Sequence, residues 1–248
     1  MSLSLRRPFL AATVLFALTS CAYVPSAPQL SLQRTLFPGL ASLSEEDISK
    51  TLEKQVQLKP PLSVAIVWLT ESTSARVGWS WGQPLNEYQR TGVLEAAVGA
   101  LRRAPFYTVT TLPTVTGPTG QGDVGRTLDG VRSAAARFQS DVAILLQTGT
   151  AEDHGINPFA IGYLGLITAP LFPGTDFAMA TSAEMCAMDV RTGVMLACTL
   201  GRATREERFL FLWGLGKQQD DIREDAVKQA VVDAATKLVS EVALRVGK

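Results

Sequence analysis

Residues 141–148 read DVAILLQT, with an unbroken apolar run from Val142 to Leu146. A short apolar run without alternation fits a strand covered on both faces. Strands of that kind are fed by crossover helices, so the flanking chain should alternate strand and helix. Upstream it does. Leu62–Leu69 (LSVAIVWL), after Pro60-Pro61, is a second run suited to a buried strand, and a polar loop is expected to follow it. Asn86 opens a helix, with Gln89 three residues on as its capping-box partner. Leu94, Ala97, Val98 and Leu101 give the core-facing stripe of that helix, and Pro105 stops it. Tyr107–Leu112 (YTVTTL) reads as a strand with one polar face, ended by Pro113. Leu128, Val131, Ala135 and Phe138 place one face of the next helix. The order β-α-β-α-β predicts an α/β fold with strands joined by crossovers.

The second half breaks the alternation. Phe177–Val190 and Val194–Thr204 read as two strands joined at Arg191-Thr192-Gly193. A long helix follows from about Gln218 to Leu244, with Val227, Val231, Ala234, Leu238 and Val242 as its apolar stripe. Ahead of the first strand, Ser44-Glu45-Glu46-Asp47 starts a short helix that runs to about Leu58. The expected architecture is one α/β domain over residues 44–248, a mixed sheet closed by a β-hairpin and a long C-terminal helix in a two-layer sandwich.

Composition bounds the function. Hydrophobic residues make up 46% of the 248 and charged residues 19%, too apolar for a disordered chain. Lys+Arg and Asp+Glu balance at 23 each, and the pI is near 6.6, so there is no basic footprint for nucleic acid. One histidine excludes a multi-histidine metal site within the chain. The N-terminus carries an address. Arg6 and Arg7 precede the apolar run FLAATVLFAL at 9–18, far short of the ~20 residues of a membrane-spanning helix but fit for a signal peptide. Leu18-Thr19-Ser20-Cys21 follows and resembles the bacterial lipobox, in which the cysteine receives the lipid. Cleavage before Cys21 would remove residues 1–20 and both arginines, and the mature net charge would be −2. Ala22, rather than Asp, implies outer-membrane sorting in a Gram-negative cell. Residues 21–43, with three prolines, read as the lipidated cysteine and a flexible tether. Its 18 residues from Ala22 to Gly39 would reach roughly 60 Å at about 3.3 Å each.

Several motifs are candidates for function. Gly120-Gln121-Gly122-Asp123-Val124-Gly125 spells GxGxxG, but two prolines separate it from the preceding strand, so a surface loop is expected rather than a dinucleotide site. Residues 155–175 carry no formal charge. Their apolar side chains Phe159, Ile161, Tyr163, Leu164, Leu166 and Phe172 suit a core strand, a lid, or contact with a partner or membrane. Phe209, Phe211 and Trp213 have the same readings. Trp79 and Trp81, flanked by glycines, could cover the core edge or offer a stacking surface. His154, beside Glu152 and Asp153, reads as a solvated loop histidine, because no GxSxG or HExxH accompanies it. Cys186 and Cys198 depend on the hairpin. A three-residue loop 191–193 with Gly193 left-handed sets Val190 opposite Val194 and Cys186 opposite Cys198, within disulfide range. One residue more or less would misalign them and leave two free thiols.

The lipobox, the tether and β-α-β-α-β followed by a hairpin and helix resemble the periplasmic α/β domains of bacterial envelope lipoproteins. Such domains include the TolB amino-terminal domain, the lipoprotein activators of penicillin-binding proteins and the curli-secretion lipoprotein. The stretch Met188–Leu196 (MDVRTGVML) is similar to their Asp-x-x-Thr-Gly-x-x-Leu strand turn. Leu36-Phe37-Pro38, Pro61–Ile66, Asp141–Leu145 and Pro173-Gly174-Thr175 are similar to the rhombotarget lipoprotein family, although the terminal LRVGK departs from its glycine-rich sorting tail. The resemblance implies a non-enzymatic lipoprotein, held at the membrane through Cys21, that binds or positions an envelope protein partner. A homo-oligomeric export component inserting an apolar hairpin at 155–190 is the alternative it implies, and a hydrolase of envelope polymers built around His154 is a third reading. No cofactor is expected beyond the covalent lipid.

Overall fold

The computed structural model describes residues 24–30, 32, 45–76, 84–112, 124–156, 175–209 and 215–246. In chain order the elements are α1 (Glu45–Leu52), β1 (Leu62–Arg76), α2 (Glu87–Leu101), β2 (Phe106–Thr111), α3 (Val124–Arg137), β3 (Val142–Ile156), β4 (Thr175–Asp189), β5 (Met195–Phe209) and α4 (Leu215–Val246). The five strands form one mixed sheet in the order β2-β1-β3-β4-β5. β1 pairs parallel with β2 and β3, and β3-β4-β5 is an antiparallel meander.

The α/β class is as expected, but the layering is not. From β1 the chain steps one way to β2, then back across β1 to β3. Right-handed crossovers taken in opposite directions put their helices on opposite faces. α2 therefore lies on one face beside α4, and α3 lies on the other, giving three layers instead of two. Alternating side chains serve the two cores. Val64, Ile66, Ile144, Leu146 and Met185 meet Val93 and Ala97 of α2 and Val227, Val231 and Leu238 of α4. Ala65, Val67, Ala143, Leu145 and Cys186 meet Val131 and Ala135 of α3. All five expected stripe residues of α4 are fully buried. Asn86 caps α2 with the reciprocal Gln89 bond, a device worth about 1 kcal/mol. The α2 stripe is rotated from its expected place, with Val93 and Ala100 buried and Leu94 and Val98 at the rim. Phe138, placed in the α3 stripe from sequence, is exposed because the helix ends at Arg137.

β1, β3, β4 and β5 are each 15 residues long. The polar loop expected after Leu69 is strand as far as Arg76, which pairs with Asp153. β3 likewise continues past Thr148 to Ile156. A bulge at Leu69 brings Glu71 opposite Thr148, on the α2/α4 face. β4 is paired along both edges. Its residues Ala183, Met185 and Ala187 are core, so 175–190 is not an inserting hairpin leg.

The hairpin departs from its expected register and then recovers it. Asp189 N–H donates to the Val194 carbonyl at 3.0 Å, so the loop is Val190–Gly193, one residue longer than expected. Met188 then faces Met195, but Ala187 faces Ala197, leaving Leu196 as a bulge. The bulge returns Cys186 to a place opposite Cys198, where the Cα atoms are 4.1 Å apart and the sulfurs 2.08 Å apart. Gly193 has φ 74°, the left-handed region that favours glycine. Asp189 carboxylate oxygens accept from Arg191 N–H, Thr192 N–H and Thr192 Oγ1, and Arg132 donates to the Val190 and Arg191 carbonyls.

α4 presses on β5 at Gly201, where a Cβ would stand 1.9 Å from the Ala230 carbonyl oxygen and 2.5 Å from the Ala234 nitrogen. Gly201→Ala should lower the urea midpoint by the equivalent of about 2–3 kcal/mol, an overpacking cost. Gly99→Ala, where an added Cβ would meet nothing within 4 Å outside its own helix backbone, should gain up to about 1 kcal/mol from helix propensity. Mass measurement after alkylation of native-exported protein without reductant should find neither Cys186 nor Cys198 modified.

Candidate functional site

The carboxyl ends of the parallel strands define one end of the sheet, and ligand sites of open α/β sheets lie outside such ends. There β1 stops at Arg76, β3 at Ile156 and β5 at Phe209, and β4 begins at Thr175. Cys21, Phe159, Ile161, Tyr163, Leu164, Leu166, Phe172, Phe211 and Trp213 lie outside the described residues, as do Trp79, Trp81 and residues 120–123 of the GxGxxG run. Phe209 is the last residue of β5.

Beneath this end, the β3 row of the α2/α4 face turns from apolar to polar, while Phe177 and Met179 of β4 stay in apolar contact with Ile222 and Ala226 of α4. Along β3 the side chains on that face run Val142, Ile144, Leu146, then Thr148, Thr150, Glu152 and His154. Thr148 and Thr150 are buried, and Thr150 Oγ1 lies 3.4 Å from Thr181 Oγ1 of β4. His154 is not a solvated loop residue. It sits within β3 opposite Phe177, with ring centroids 4.9 Å apart.

Two buried carboxylates on this half of the sheet each meet an arginine from a covering helix. Glu152, 1% exposed, accepts from Arg223 Nε of α4 at 2.5 Å, and Arg223 Nη1 donates to Asp220 at 2.8 Å. Glu71 accepts from Arg90 Nη2 of α2 at 3.1 Å and from Leu85 N–H at 2.9 Å. The Arg90 guanidinium lies 5.9 Å over the Trp68 ring. Gln89 Nε2 donates to the Asp220 carbonyl and ties the two helices together. Burial pushes the Glu152 carboxyl up, but His154 and Arg223 outweigh it and hold it below the ordinary carboxylate range. His154 Nε2 stands 3.9 Å from Glu152 Oε2, beyond hydrogen-bond reach, so Arg223 supplies the direct bond. Neither of those two atoms has a hydrogen-bond partner among the described residues. This arrangement fastens a helix to a sheet. A carboxylate sealed by a guanidinium is poorly placed to exchange protons with a substrate. No group of three His, Cys, Asp or Glu able to hold a metal occurs among the described residues.

The opposite face carries an unexpected guest. Residues 24–32 were expected to belong to a free tether, yet Pro25 and Leu32 are buried. Ser182 Oγ donates to the Pro28 carbonyl at 2.7 Å, and Leu32 N–H donates to Glu184 Oε2 at 2.6 Å. Burial pushes the Glu184 carboxyl up, against the pull of that N–H. Leu32 joins the α3-face core with Leu145 and Met188. The sequence signal for this docking was slight, a few apolar residues among prolines. An open groove of about 570 Å³ between α2 and β2 is lined by Glu87, Glu95 and Arg102 beside Leu94, Val98 and Val109. Among the described residues no helix is long and apolar enough to cross a membrane.

No family model and no curated protein matches the chain, so the rhombotarget likeness rests on the short motifs alone. Solved structures do match. A homolog of the neuraminyllactose-binding hemagglutinin from Helicobacter pylori is 8% identical with a TM-score of 0.42, over 78% of this chain and 92% of that one. Lipoprotein GNA1162 from Neisseria meningitidis is 12% identical with a TM-score of 0.32, over 65% and 96%. The LpoB C-terminal domain from Salmonella enterica is 16% identical with a TM-score of 0.31, over 62% and 90%. At such scores the likeness decides nothing about this chain, whose fold is read from its own residues.

Removing one partner of a buried ion pair strands the other charge. Arg223→Met should cost about 3–5 kcal/mol in denaturant unfolding, and Glu152→Gln added to it should recover much of the loss. Because the Glu152 carboxyl is depressed in the folded state, its contribution is present above its ordinary 4.5 and fades as pH falls through the lower folded value. Acid titration of Glu152→Gln should therefore show a flatter loss of stability below pH ~4.5 than the parent.

Proposed function

We propose that the chain is a lipid-anchored envelope lipoprotein, held at the outer membrane and facing the periplasm, that works without catalysis by positioning its α/β domain for a protein partner. The observation that carries this reading is the lipobox Leu18–Cys21, followed three residues later by chain that packs into the domain. A diacylated cysteine buries enough methylenes, at about 0.8 kcal/mol each, to make anchoring nearly permanent. The sealed state of Glu152 speaks against the hydrolase reading, since the acid nearest His154 is already engaged.

The test is metabolic labelling with an alkyne fatty acid, read together with cell fractionation. The parent protein should take up label and sediment with membranes. Cys21→Ser should lose the label and move to the soluble fraction or stay as uncleaved precursor. Equal labelling of parent and variant would overturn the reading. A hydrolase would require His154→Ala to abolish turnover of an envelope polymer, and no such loss is expected.

A further inference from the structure

We infer that the carboxyl end of the sheet, where β3 and β5 stop and β4 begins, is the end that faces the lipid bilayer, with the hairpin end pointing away from it. The inference rests on the lipid anchor at Cys21 and adds the orientation of the domain. Its basis is the course of the chain at residues 24–32. Leu32 is bonded to Glu184 and Pro28 to Ser182. Followed back toward the N-terminus, the segment therefore travels along β4 away from the hairpin and toward Thr175. Ala180 and Ala178, next on that face, are buried, as is Pro25, while Val24 is exposed again. Val24 lies three residue steps from Cys21, a reach of about 10 Å at ~3.3 Å per residue. An acylated Cys21 sits at the bilayer, so the chain cannot place Val24 far from the lipid surface.

Both ends carry charge: Glu206, Glu207 and Arg208 are exposed at the carboxyl end, and Asp141, Asp189 and Arg191 line a polar pocket at the hairpin end, so the direction is set by the course of the chain. Glu207 and the start of β5 at Met195 are about 40 Å apart at ~3.4 Å per residue.

The experiment uses the full-length lipidated protein in phosphatidylethanolamine/phosphatidylglycerol vesicles carrying a headgroup-linked quencher. A fluorescent amino acid is introduced by codon suppression at position 207 or at position 191. The two positions are exposed and stand at opposite ends of the sheet. The label at 207 should be quenched at least about twofold more than the label at 191, given the ~40 Å between the ends. Lengthening the link between Cys21 and Val24 with a Gly/Ser stretch should leave flotation intact and narrow that difference. Equal quenching at the two positions, or stronger quenching at 191, in protein that floats with the vesicles overturns the orientation while leaving the anchor standing. Failure of the parent to float, or flotation of Cys21→Ser, overturns the anchor and the orientation with it.

Discussion

The contact between Glu152 and Arg223 is the constraint that makes the long sheet possible. Strands of 15 residues outrun the apolar material available to cover them. β3 spends its apolar residues between Val142 and Leu146, and beyond that point its side chains on the α2/α4 face are Thr148, Thr150, Glu152 and His154. A helix covering that stretch cannot rely on apolar burial alone. α4 instead brings Arg223, which neutralises Glu152 and is itself held by Asp220, while Gln89 couples the same turn of α4 to α2. Glu71 and Arg90 repeat the device between β1 and α2. A buried ion pair is weak evidence for net stability, since an apolar pair often does as well. Its value here is geometric: together with the contact of Phe177 and Met179 against Ile222 and Ala226, it fixes where α4 sits along the more polar half of the sheet.

The second constraint is the hairpin. An extra loop residue and an extra strand residue cancel, and the two cysteines meet only because they do. The bulge also sets Leu196 and Ala197 both toward the α2/α4 face. That accommodation costs little at β5, an edge strand of the sheet, where one partner alone must adjust.

These two features explain what could be read from sequence. The apolar halves of β1 and β3, the Asn86 cap and the five-residue stripe of α4 were all legible, because periodicity and capping chemistry are local. The polar halves were not. TESTSAR at 70–76 and TGTAEDHGI at 148–156 look like loops, and they are strands only because they pair with each other and the second pairs also with β4. The layer count was equally hidden. It follows from β1 lying between β2 and β3, and strand order leaves no mark on local pattern. The segment 24–32 reads as linker because its fixation comes from two partners more than 150 residues away.

That last segment changes what an anchor means for this domain. On a free tether of ~20 residues a domain samples many orientations, and any face can meet the membrane or a partner. Once the chain is fixed to Ser182 and Glu184, the proposed anchor would act through a short strap on the α3 face. The strap uses a sheet surface that α3 does not cover, so the same docking that completes the core also restricts the orientation. The Glu184 carboxyl, pushed up by burial and pulled down by Leu32 N–H, stands at the junction of those two roles. On the proposed anchoring, loosening that hydrogen bond would expose Leu32 and free the domain to turn, because the contacts that bury Leu32 are also those that hold the strap to the sheet.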